Sequence, residues 1–75
     1  MTAVDVCFRY GNAPDEGAMR GIDRLWEVYG IRRILFNEQE RSIRVEYDAT
    51  RLSESVVASL LRRAGVDLQE QVVLA

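Results

Sequence analysis

Apolar and polar residues alternate at the start of the chain. Val4, Val6, Phe8 and Tyr10 are separated by Asp5, Cys7 and Arg9 across residues 3–10. A period of two is that of a strand with one buried face, so Cys7 is expected on the polar face between two charges. The period then lengthens. Met19, Ile22, Leu25, Trp26 and Tyr29 recur at helical spacing and are expected to form one apolar stripe. Pro14 suits the first helical position, and Asp15 and Glu16 then complement the helix dipole from the first turn. Gly30 is the expected helix stop. Gly17 and Gly21 fall inside this helix and weaken it by about 1 kcal/mol each against Ala, for which close packing on a sheet would account.

The pattern returns to two in "IRRILFNEQERSIRVEYDA". Ile34 and Phe36 alternate before the polar loop "NEQER", and Ile43, Val45 and Tyr47 alternate after it, as in a hairpin. A second helix follows in "RLSESVVASLLRRAG". Ser53 is its expected N-cap, and Val56, Val57, Leu60, Leu61 and Ala64 are its expected stripe. Arg62 and Arg63 suit its last turn, and Gly65 suits its end. A weakly alternating strand, "VDLQEQVVL", closes the order βαββαβ. That order predicts an α+β, ferredoxin-like split βαβ sandwich. Two helices lie on one face of a four-stranded antiparallel sheet, with the first and third strands central. The 75 residues are read as one domain, 1–75, with no linker.

Composition narrows the function. All ten basic residues are Arg, twelve are acidic, and the net charge is −2. Such a chain lacks the basic footprint of a nucleic-acid binder. The face that would stack bases in this fold carries Asp5, Cys7, Arg9, Ser42, Arg44 and Glu46 rather than rings. No apolar run reaches membrane-spanning length. The opening "MTAVDVC" has no basic leader region, so the expected location is the cytoplasm. With one cysteine and no histidine, no intrachain disulfide, Ser/His/Asp set or Cys/His set can form. No glycine-rich loop of recognised phosphate-binding spacing is present, no cofactor is implied, and the chain is not read as an enzyme.

Gly30-Ile31, Val45, Tyr47-Asp48, Leu52-Ser53 and Ala64-Gly65 together resemble the framework of heavy-metal-associated (HMA) domains. The resemblance covers almost the whole chain and implies the same ferredoxin-like fold. Members of that family that bind soft metals place Cys-x-x-Cys at the start of the first helix. Counted back from Gly30, those positions hold Pro14 and Gly17, within "PDEG". Neither offers a ligand for Cu(I) or Zn(II), so the resemblance implies a degenerate member for which heavy metal is not the expected partner.

The remaining candidates are few. Asp15 and Glu16 are adjacent carboxylates that suit a hard cation, or simply a helix N-terminus. They also repel phosphate from that position. Cys7 is the candidate reactive thiol, beside Arg9, which favours a thiolate, and Asp5, which opposes it. Trp26 is read as core rather than as an interface anchor. Asp5, Arg9, Arg44 and Glu46 form a mixed-charge surface on the open sheet, suited to a protein partner or self-association. The expected function is a non-catalytic interaction or regulatory module that has lost soft-metal binding. The alternative is a metal-handling, transport- or chaperone-like protein that uses unconventional ligands.

Overall fold

Two strands with unbroken pairing organise the sheet. In the computed structural model, which describes residues 2–72, β1 (Ala3–Tyr10) pairs antiparallel with β3 (Ser42–Asp48), from Ala3 opposite Asp48 to Arg9 opposite Ser42. The other elements are α1 (Glu16–Leu25), β2 (Ile31–Asn37), α2 (Glu54–Ala64) and β4 (Leu68–Val72). The strand order is β2-β3-β1-β4, antiparallel throughout. This is the ferredoxin-like α+β sandwich expected from the sequence, with β1 and β3 central. The last strand begins at Leu68 rather than at Val66, and residues 73 and 74 lie outside the described residues.

Alternation along the central strands turns Val6, Phe8, Tyr10, Ile43, Val45 and Tyr47 toward the helices. They form one buried cluster with Ile22, Leu25, Val57 and Leu61. Ile43 and Val45 are completely inaccessible to solvent. Burying a side chain of this size contributes about 1.5–3 kcal/mol, so this cluster is the main source of stability. The edge strand β2 joins it through an irregularity. Ile31 and Ile34 both pack on the core, although their spacing gives opposite faces in a regular strand. The pairing shifts between Ile31 and Arg33. A β-bulge there absorbs the extra residue and keeps both isoleucines inward.

Both helices begin with a side-chain cap. Asp15 Oδ1 accepts the Ala18 N–H at 2.7 Å, and Ser53 Oγ accepts the Val56 N–H at 3.3 Å. Pro14 is therefore not the first helical residue, because the Asp15 carboxylate takes the cap and places Pro14 before it. α2 ends as expected at Gly65, whose φ of +107° is left-handed, with the Val66 N–H reaching back to the Leu61 carbonyl.

The expected stripe of α1 is only partly correct. Ala18, Ile22 and Leu25 are buried, while Met19 is 43% exposed, Trp26 49% and Tyr29 70%. The helix stops at Leu25, so a 3.6-residue period no longer directs Trp26 and Tyr29. Met19 lies on the flank, one position past the buried Ala18. Gly30 is not the helix stop either. Five residues on, at φ +109°, it turns the chain into β2 beneath the Leu52 side chain. In α2, Val57, Ala58 and Leu61 are buried, but Val56 is on the solvent side.

The helices meet through small residues. A Cβ on Gly21 would lie 2.5 Å from the Ala64 carbonyl oxygen and 2.8 Å from Ala64 Cα. A Cβ on Gly65 would lie 3.3 Å from Ala18 Cα. Gly21 thus packs on α2 and not on the sheet, and Gly17 packs on neither, since a Cβ there would meet only Asp15 Oδ1, at 3.5 Å.

The same substitution should therefore have opposite signs at the two sites. Gly21→Ala forces the α2 backbone away and should destabilise by about 1–2 kcal/mol, after its gain in helix propensity is counted. Gly17→Ala meets no such obstacle and should stabilise by about 0.5–1 kcal/mol. Urea unfolding of both variants measures the difference.

Candidate functional site

The β1–α1 loop, where the resemblance places a metal motif, is closed by its own hydrogen bonds. The Asp67 carboxylate accepts the backbone N–H of Asn12 at 3.0 Å and its side-chain amide at 3.2 Å. The Gly11 N–H donates to the Asp67 carbonyl at 2.9 Å, and Arg41 Nη1 donates to the Gly11 carbonyl at 3.3 Å. The loop is thus tied to the α2–β4 turn and to the β2–β3 hairpin. Asp15 caps α1, and Glu16 accepts from Arg20 Nη2 at 2.8 Å, one helical turn on. Both candidate carboxylates have local structural partners. Among the described residues, no group of three His, Cys, Asp or Glu side chains gathers as a metal site. Beside the loop lies an open cleft of about 620 Å³, floored by Tyr10, Phe36 and Met19 with Arg41 and Glu38 at its rim. The Tyr10 and Phe36 rings meet edge to face there, 6.0 Å between centroids.

At the opposite end, Asp48 shapes the turn into α2. Its Oδ1 accepts the Thr50 hydroxyl at 2.7 Å and the Thr50 N–H at 3.0 Å. Its carbonyl accepts the N–H groups of Arg51 and Leu52, each at 3.0 Å. Hydrogen bonds from the Thr50 hydroxyl and then its N–H, assisted by the Arg51 charge, hold the Asp48 carboxyl below the usual carboxylate range. Arg51 lies 3.7 Å from Asp48 and stacks 3.9 Å over the Tyr29 ring. Sequence reading did not single out Asp48 or Thr50 for a role. The signal was present in "YDAT", where an Asp two residues before a Thr marks a turn of this kind.

The open face of the sheet carries the remaining candidates, and the register sets them in rows. Glu46 stands between Arg33 of β2 and Asp5 of β1. In the next row, Leu35, Arg44, Cys7 and Val72 run across all four strands. Asn37, Ser42 and Arg9 form the third. The β2 bulge places Arg32 beside Arg33, and Arg32 Nε lies 3.7 Å from Glu46. Asp5, Arg9 and Arg44 are exposed and take part in no ion pair among the described residues. Two carboxylates, Asp5 and Glu46, stand directly opposite one another, a cross-strand arrangement that destabilises a sheet. Leu35 is 48% exposed at the centre of the β2 edge.

Cys7 lies on this face, as its parity requires, but it is buried, only 7% exposed. The thiol is short and central. Arg44 and Val72, both larger, stand opposite it on the two flanking strands. The candidate reactive thiol is thus on the expected face but shielded from solvent.

In the folded protein Cys7 should therefore react with a water-soluble thiol reagent far more slowly than in denaturant, with a rate that follows local opening. Absorbance of the released chromophore measures it. The Asp48 carboxyl predicts a pH dependence. Because its folded pKa is depressed, its stabilisation is complete above the unfolded carboxylate range and is lost as pH falls through the folded value. Thr50→Val removes the larger of the two hydrogen-bond causes. The loss of stability between neutral and acid pH should become shallower in that variant, as followed by urea midpoints across the range.

A scan against protein-family models finds no match to this chain. A search of curated protein sequences finds none either.

Proposed function

We propose that the chain is a non-catalytic interaction module, acting in the cytoplasm through the open face of its sheet. The observation that carries this reading is the state of that face. Asp5, Arg9 and Arg44 project from central strands without ion-pair partners among the described residues, and Asp5 is set against Glu46. A partner supplying opposite charges relieves that arrangement, whereas the isolated sheet gains nothing from it. On this reading the HMA-like framework is retained and the metal loop has become a structural closure. Asp15 caps a helix, and Asp67 and Arg41 latch the loop to its neighbours.

The test is an affinity enrichment from cells that express the protein, with three baits. These are the wild type, an Arg9→Glu/Arg44→Glu variant, and a Trp26→Ser variant at the far end. The wild type and Trp26→Ser should retain a common protein, whether a different protein or a further copy of the chain, and the doubly reversed variant should lose it. Equal retention by all three baits would remove the open face from the reading.

A further inference from the structure

We propose that the open sheet face binds a second copy of this chain, about a two-fold axis lying in the interface and perpendicular to the strands. This rests on the interaction reading above and assigns its partner. The argument is the order of charges along β1. Asp5 and Arg9 lie on the same face, one residue pair on either side of Cys7. An axis running over the row Leu35–Arg44–Cys7–Val72 exchanges the two outer rows. It sets Asp5 of each copy over Arg9 of the other and so creates two reciprocal ion pairs. It also sets Glu46 of the second copy over Ser42, about 6.7 Å along β3 from Arg44, within reach of that long side chain. Leu35, half exposed in the monomer, falls against Leu35 of the second copy.

The alternative axis, parallel to the strands between β1 and β3, is disfavoured by the same register. It places Asp5 of each copy over Glu46 of the other and brings four carboxylates together, against which the chain sets only the Arg32 and Arg33 side chains beside each Glu46. The first axis also sets Arg44 of each copy over Arg44 of the other, but each of these long side chains can turn to Glu46 of the other copy, so charge order favours the first axis over the second.

Magnitudes define the strength. Three strands of seven or eight residues and a β4 of five described residues cover at most roughly 20 by 23 Å, or about 450 Å² per copy. Two such faces fall below the roughly 1,600 Å² of a standard interface, and most of this area is polar. The dimer is accordingly weak and concentration-dependent. Facing sheets stand about 10 Å apart, beyond the roughly 7 Å Cα separation that a disulfide spans. Cys7 therefore lies at the interface as a thiol and does not link the copies.

Sedimentation equilibrium of the full chain under reducing conditions tests this, with thermal unfolding as the control for folding. The wild type should dimerise, less tightly as salt rises. Arg9→Asp and Asp5→Arg should each weaken the dimer at least about tenfold, since each replaces two attractive pairs by two repulsive ones. The exchanged variant Asp5→Arg/Arg9→Asp should recover to within about threefold of the wild type, which disruption of the fold would not permit. Leu35→Ala should weaken the dimer without changing the melting temperature. The proposal is overturned by a wild type that stays monomeric up to about 2 mM. It is equally overturned by an exchanged variant that stays as weak as the singles, or by a dimer that exists only as a disulfide. A monomeric wild type that still retains a different protein through Arg9 and Arg44 would end the self-association proposal and leave the interaction reading standing.

Discussion

The closeness of the two helices is the constraint on which the rest of this small fold depends. A four-stranded sheet needs both helices side by side to cover its apolar face. In a 75-residue chain there is little spare apolar surface to tolerate a gap. Gly21 lets α1 approach the last turn of α2 until its backbone nearly touches Ala64, and Gly65 lets the end of α2 pass close to Ala18. Ile22, Leu25, Val57 and Leu61 can then converge on the same strand residues. Gly65 has a second task at the same point, because its left-handed backbone ends the helix there. Capping and close approach thus fall on one residue, and Val66 follows directly into the core.

With one face fully committed to the core, the opposite face and the two ends are free to carry function. The ends are largely self-contained. Asp67 closes the loop before α1, and Asp48 orders the turn before α2. Each carboxylate holds a connection together through hydrogen bonds to N–H or O–H groups. The open face differs, since Asp5, Arg9 and Arg44 take part in no ion pair among the described residues. That contrast is why the proposed function is placed on the sheet and not in the loop where the HMA resemblance directs attention.

Much of this was legible in the sequence, for identifiable reasons. The central strands could be read because their alternation is regular and their register uninterrupted. The caps at Ser53 and Gly65 were visible because each is a local event with its own residue preference. The candidates on the open face followed from parity alone. Trp26 and Tyr29 were misread because periodicity does not announce where a helix stops, and α1 stops at Leu25. Cys7 was placed on the correct face but not at the correct depth, which is decided by the side chains of β3 and β4 beside it. The reason for Gly21 lies in α2, more than forty residues away, and no local pattern contains it.

The bulge in β2 reaches beyond the packing of two isoleucines. β2 is an edge strand, and a flat edge offers its unpaired backbone groups to any strand that drifts past. Here the edge is bent at Arg32 and Arg33, two adjacent cations at the point where another chain would have to align. The β1–β4 pairing on the other side of the sheet is interrupted as well, between Phe8 and Tyr10. Runaway strand addition is thus discouraged along both margins. A molecule guarded in this way can be concentrated without extending into a fibril.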